Sequence, residues 1–246
     1  MRGFFRLLAS ERMKLSRSYI WLLIPVSPLL SLIMGMLSNL NEYPSDQHYS
    51  ALHSIVTTLH ALLLLPILTG IFSAFVCRYE HSGGGWKQLL SLPVSRTGLY
   101  AAKFVLVVIM LALTQLMFMG AVVISVHYQG IAGGVQWGQL IPNVISGLVA
   151  CLPLAALQLW ASIGWSSFAA PLAINVAMTV PNILIVNSAT YGPYYPWAQP
   201  ALAMISSKDM EFGAFTLPME SMMITIAGSF ILFCAGGLIY LKRKEV

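Results

Sequence analysis

FVLVVIMLALTQLMFMGAVVISV, residues Phe104 to Val126, follows directly on Lys103 and carries no charged side chain. Its length matches the ~20 apolar residues with which a helix crosses a bilayer. Working outward, five more blocks of this kind emerge: Tyr19 to Leu37, Ile55 to Val76, Leu140 to Ile163, Phe168 to Val186 and Ser221 to Leu241. Of the 13 Lys and Arg residues, all but Lys208 fall in three short places: the first seventeen residues, Arg78 to Lys103, and Lys242 to Lys244. The chain reads as one all-α membrane domain of six transmembrane helices.

Translocating Lys and Arg is disfavoured, so the three basic clusters predict that both termini and the Arg78 to Lys103 loop are cytoplasmic. An even number of spans is then required, and six satisfies it. Ser38 to Ser54 holds Glu42 and Asp46 but no Lys or Arg, and Asn187 to Glu220 holds one Lys, as outer segments should. Composition agrees. With 58% hydrophobic and 9% charged residues, and a mean hydropathy of +0.78, 246 residues cannot hide their apolar surface in a soluble domain. The net charge of +5 sits beside the spans, where anionic lipid headgroups are sufficient partners and nucleic acid is not implied. Cys77, Cys151 and Cys234 lie in or at the ends of spans without metal-ligand spacing, so neither a disulfide framework nor a zinc site is expected.

The first seventeen residues do not read as a cleavable leader, because the following apolar block is too long and no small-residue cleavage pattern follows Leu37. Wound as a helix, they gather Phe4, Phe5, Leu8 and Leu15 on one side and Arg2, Arg6, Ser10 and Arg17 on the other. That suits an interfacial helix on the cytoplasmic surface, or a plain basic topology anchor. Between spans two and three, Gly83, Gly84 and Gly85 break the preceding helix. A short amphipathic helix follows, with Trp86, Leu89, Leu90 and Pro93 on one face, and the proline ends it. Such a face needs a cover: lipid, the protein's own spans, or a groove on a soluble partner.

The run Glu11-Arg12-Met13-Lys14-Leu15-Ser16-Arg17 before span one, the loop from Glu80 through Trp86-Lys87 and Pro93 to Arg96, and Tyr100-Ala101-Ala102-Lys103 before span three together resemble the ABC-2 type permeases. Within them the chain is most similar to the lantibiotic-immunity and bacitracin-resistance permeases. The resemblance implies a dimer of six-span subunits, the second permease being the same or homologous. It also implies that the loop is a coupling helix docking into separate ATPase subunits, two copies per transporter. Glu80, Trp86, Lys87, Leu89, Leu90 and Pro93 would then form the docking element. ATP and Mg would be held by the partner and no cofactor by this chain, in which no G-x-x-x-x-G-K-[ST] run occurs. The implied function is the membrane subunit of an exporter that removes an amphipathic peptide or drug from a bacterial plasma membrane.

No block contains Asp, Glu, Lys or Arg, which disfavours an ion-coupled carrier. The polar residues inside spans are His60, Gln115, Asn143, Gln158, Asn175 and Asn182. Gln115, Gln158, Asn175 and Asn182 are candidates for the pathway or for interhelical hydrogen bonds. Pro66, Pro142, Pro153, Pro171 and Pro181 should kink or break their helices. Tyr191, Tyr194, Tyr195 and Trp197 read as an aromatic belt or as an outer lid over the pathway. His48 and His53, expected in a loop, lack matched carboxylate or cysteine ligands, so no metal site is assigned. Two other classes stay in view. An intramembrane enzyme would need paired catalytic groups that the spans do not offer, and a membrane protein that sequesters a peptide without ATP-driven transport would need no engine.

Overall fold

Helix α6 (Arg96–Tyr128) organises the bundle. Ser95 caps it by accepting from Gly98 N at 3.1 Å, and no proline interrupts its 33 residues. The computed structural model describes residues 2–16, 18–81, 85–91, 94–165, 167–205, 215 and 218–244, with Arg2, Leu89 and Leu90 described in backbone only. Among the described residues the regular structure is entirely helical. Before α6 come α1 (Arg2–Ser16), α2 (Val26–Leu37), α3 (His48–Leu59), α4 (Leu65–Cys77) and α5 (Gly85–Ser91). After it come α7 (Trp137–Gly164), α8 (Ala169–Thr179), α9 (Asn182–Ile185), α10 (Gln199–Met204) and α11 (Met219–Arg243).

Five continuous helical segments are long and apolar enough to cross a membrane: Tyr19–Leu37, Ser45–His81, Arg96–Tyr128, Trp137–Gly164 and Met219–Arg243. The remaining expected span, Phe168 to Val186, is the shorter apolar stretch Ala169–Ile185. Pro181 interrupts it between α8 and α9, since a proline cannot continue the backbone ladder. At 1.5 Å per residue it reaches about 25 Å.

The second segment departs most from expectation. It begins near Ser45, ten residues before Ile55, so His48 and His53 lie on α3 and not in a loop. Asp46 in the first helical turn favours this early start through the helix dipole. His53 is buried, stacked on Tyr49 with centroids 5.9 Å apart. At His60–Leu64 the helix widens into a π turn, where Leu65 N–H reaches back to His60 O. Pro66 has no N–H for the Leu62 carbonyl, and Asn182 Nδ2 donates to that carbonyl at 2.8 Å. A side chain from the last third of the bundle thus repairs the ladder broken in its first third.

α2 packs on α6, α4 on α7 and α6, and α11 chiefly along α7. Gly236 permits the last approach: a Cβ there would lie 2.5 Å from the ring of Trp160 on α7. At one end of the bundle gather α1, α5 and the start of α6, the basic end. At the opposite end lie the linkers 38–47, 129–136 and 186–198.

Candidate functional site

Lys103 stands immediately before the expected span Phe104 to Val126. It lies about two turns into α6 and is fully buried, with 0% of its side chain exposed. An ammonium so placed must be paired and hydrogen-bonded. Lys103 Nζ donates to Glu11 Oε2 at 2.7 Å and to Val76 O at 2.7 Å. It also lies 2.9 Å from Glu80 Oε2, an ion pair outside hydrogen-bond geometry. Lys14 Nζ closes the figure, donating to Glu80 Oε1 at 2.7 Å and to Glu11 Oε1. Two carboxylates and two ammoniums alternate in a ring of zero net charge, and only Lys14 reaches solvent appreciably.

The four members come from three places, each for a local reason. Glu11 and Lys14 stand one turn apart on α1, so both reach the same side. Glu80 sits on a 3₁₀ turn, Arg78–His81, that prolongs α4. Lys103 faces inward from α6. The ring therefore ties the N-terminal helix, the loop after α4 and the long central helix at one point.

A second layer joins the loop to the far helices. His81 Nε2 donates to Ser162 O at 2.7 Å and Lys244 Nζ to Ile163 O at 2.6 Å, so cationic or polar donors satisfy the C-terminal carbonyls of α7. Arg96 donates to the carbonyls of Leu241, Lys242 and Lys244 at the end of α11, at 3.0, 2.9 and 2.8 Å. Lys244 Nζ lies 4.5 Å from the centroid of the Trp86 ring. Partial burial holds that ammonium below its usual pKa. Arg78 sits 5.5 Å and 5.6 Å from the rings of Phe75 and Phe168.

Of the residues read as a docking element, Glu80 and Trp86 are engaged inside the chain. Trp86 is buried against Cys77, Leu99, Tyr100 and Leu241. α5 can lie this close because its first residue is glycine: a Cβ on Gly85 would meet Tyr79 O at 2.8 Å. Lys87 faces outward together with Gln88 and Ser91. The side chains of Leu89 and Leu90, and all of Pro93, lie outside the described residues. Glu11, Lys14 and Lys103 carry the site's geometry, yet sequence reasoning gave them no role. The available signals were a lone Glu in an otherwise basic run and a Lys abutting a span.

Gln115, Asn175 and Asn182 are committed to neighbouring segments. Asn175 Nδ2 donates to Pro66 O and Ile67 O at 3.1 and 3.2 Å, and its Oδ1 accepts from Trp197 Nε1 at 2.9 Å. Asn182 bonds Leu62 O and Trp197 O. Gln115 Oε1 is 3.1 Å from His60 Nε2, whose other nitrogen is 2.6 Å from Ser27 Oγ. Gln158 is buried in α7 with its Oε1 unpartnered. At the end opposite the ring, Tyr191 and Tyr194 are exposed, whereas Trp197 is buried. Tyr195 Oη donates to Met178 O at 2.6 Å. Tyr191, Tyr194 and Tyr195 line, with Leu184, Ile185 and Ser188, an open cleft of about 630 Å³.

Residues 7–182 match the family model described as ABC-2 family transporter protein. The chain is 21% identical over 196 residues to the bacitracin transport permease protein of Bacillus licheniformis, covering 77% of this chain and 90% of that one. The matched region contains the whole charge ring. This multi-pass membrane protein belongs to the ABC-2 transporter family, as a transport subunit whose ATPase is a separate polypeptide.

Proposed function

We propose that this chain is the membrane half of an ATP-driven exporter that removes a peptide antibiotic, or a related amphipathic compound, from a bacterial plasma membrane and so confers resistance. The relative's name, a bacitracin transport permease, supports the substrate class. One observation carries the mechanism: the Glu11–Lys14–Glu80–Lys103 ring fastens the loop bearing α5 to both α1 and α6. In this reading α5 is the coupling helix. Lys87, Gln88 and Ser91 meet the ATPase, while Trp86 and Glu80 anchor α5 to its own bundle. ATP and Mg bind the partner, present in two copies, and the permease works as a dimer with a second subunit, the same or homologous.

For nucleotide to drive the bundle, the ATPase must hold α5 in different geometries in its two states, since equal affinity shifts nothing. A displacement of α5 then moves α1, the end of α4 and α6 as one body, because the ring cannot open without stranding a buried charge. The basic end faces the cytoplasm, and the short α8–α9 segment completes six crossings, returning the C-terminus to that side. Tyr191 and Tyr194 stand where cargo leaves.

The test is resistance measured in cells carrying the protein together with its co-purifying ATPase. Protection should vanish when the partner's catalytic carboxylate is replaced, with both proteins at unchanged abundance. Protection that persists without ATP hydrolysis would replace the exporter with a sequestering membrane protein.

A further inference from the structure

An open cavity of about 1010 Å³ lies at the end opposite the charge ring, between the approach to α3 and the first turns of α7. Its volume is at the top of the ~300–1,000 Å³ usual for ligand sites. Gln47, Gln136, Gln139 and Asn143 bring carboxamides to it, and Tyr43 and Ser54 bring hydroxyls. No Asp, Glu, Lys or Arg lines it. Asn143 Nδ2 is buried and has no hydrogen-bond partner among the described residues, an arrangement that native interiors avoid unless something else satisfies the donor. Tyr49 Oη donates to Gln136 O at 3.4 Å and braces the two walls against each other.

We infer that this cavity binds an uncharged segment of peptide main chain, held by its amide groups. A carboxamide offers an acceptor beside donors, the same complement that a peptide group presents, so those of Gln47, Gln136 and Asn143 match successive peptide units without any formal charge. Ala51, Ile55 and Pro142 supply apolar wall between the polar groups, as a chain of alternating amides and small side chains requires. A neutral sugar would ask for rings to stack on its faces, and Tyr43 is the single ring in the lining. The inference rests on the exporter reading for the ligand's role as cargo, and it places cargo recognition within one subunit.

The experiment uses the full chain in lipid nanodiscs without ATPase or nucleotide, so its result is independent of whether an engine is found. The fluorescence of Trp137, half exposed beside Gln136 and Gly138, is titrated with an N-acetylated, C-amidated Ala-Gly hexapeptide and, separately, with maltotriose. Trp137→Phe identifies the signal. A saturable change with the hexapeptide is expected, weakened at least tenfold by Asn143→Leu and by Gln136→Leu, with no response to maltotriose. Ser54→Val provides a second route should Asn143→Leu fail to fold. No saturation by the peptide, equal or better binding of maltotriose, or unchanged binding in correctly folded variants would overturn the site. Binding here with no ATPase recovered would instead remove the exporter reading and leave the site standing.

Discussion

The two ends of the bundle hold themselves together by different chemistry. At the basic end four formal charges close on one another around Lys103, with only Lys14 partly wet. At the opposite end carboxamides, hydroxyls and rings do the work, and the named cavity lining carries no charge. A charged cluster is all or nothing, because losing one member strands its partners in a poorly solvating interior. Amide contacts are weaker and replaceable one at a time. In the proposed function, the contrast would place rigidity at the end that receives force and adaptability at the end that meets cargo.

The sharpest way to break the comparison is Lys103→Met, which leaves two carboxylates sharing one ammonium. Thermal unfolding in detergent should show a loss of about 3–5 kcal/mol. Adding Glu11→Gln to it restores charge balance, and the double variant should lose less than the two single losses added, a coupling of about 0.5–3 kcal/mol. Asn182→Leu, at the neutral side of the comparison, strands the carbonyls of Leu62 and Trp197 and should cost about 1–3 kcal/mol by the same assay. Lys87 is exposed and makes no ion pair among the described residues, so Lys87→Glu should leave stability within about 0.5 kcal/mol while recovery of the ATPase in a pull-down falls. The smallest structural effect belongs to Tyr191→Ala with Tyr194→Ala: both rings are exposed. Melting should be unchanged and abundance-normalised resistance reduced. Intact resistance would leave the rings as a simple membrane anchor.

Four of the six expected spans coincide closely with helices of the fold, because an apolar run ended by charge or turn residues states its own limits. Tyr19 to Leu37 is reproduced residue for residue, and Leu140 to Ile163 falls inside α7. The second span was legible only in its apolar half. Its first turns carry His48, Ser50 and His53, which side with a loop on composition, although His53 is held by packing against Thr57 and Tyr49. The π turn at His60–Leu64 left no sequence mark beyond Pro66. The ring was half visible, since Glu80 was singled out. Of its partners, Lys14 stands 66 residues away and Lys103 on a different helix, and such pairings are set by the fold and not by any local pattern. The same holds for Trp86: helical spacing put it on an apolar face, but only the bundle reveals that the chain covers that face itself.

The central claim is that the four-charge ring carries the motion of the loop into the bundle. It is tested most directly by measuring ATP-dependent resistance and ATPase recovery together in Lys103→Met, normalised to abundance and set against Asn182→Leu as a control for destabilisation alone. Retained ATPase with lost resistance, and resistance preserved in the control, is the predicted result. Resistance at the unmodified level in Lys103→Met, with the protein present in normal amount, would contradict the account.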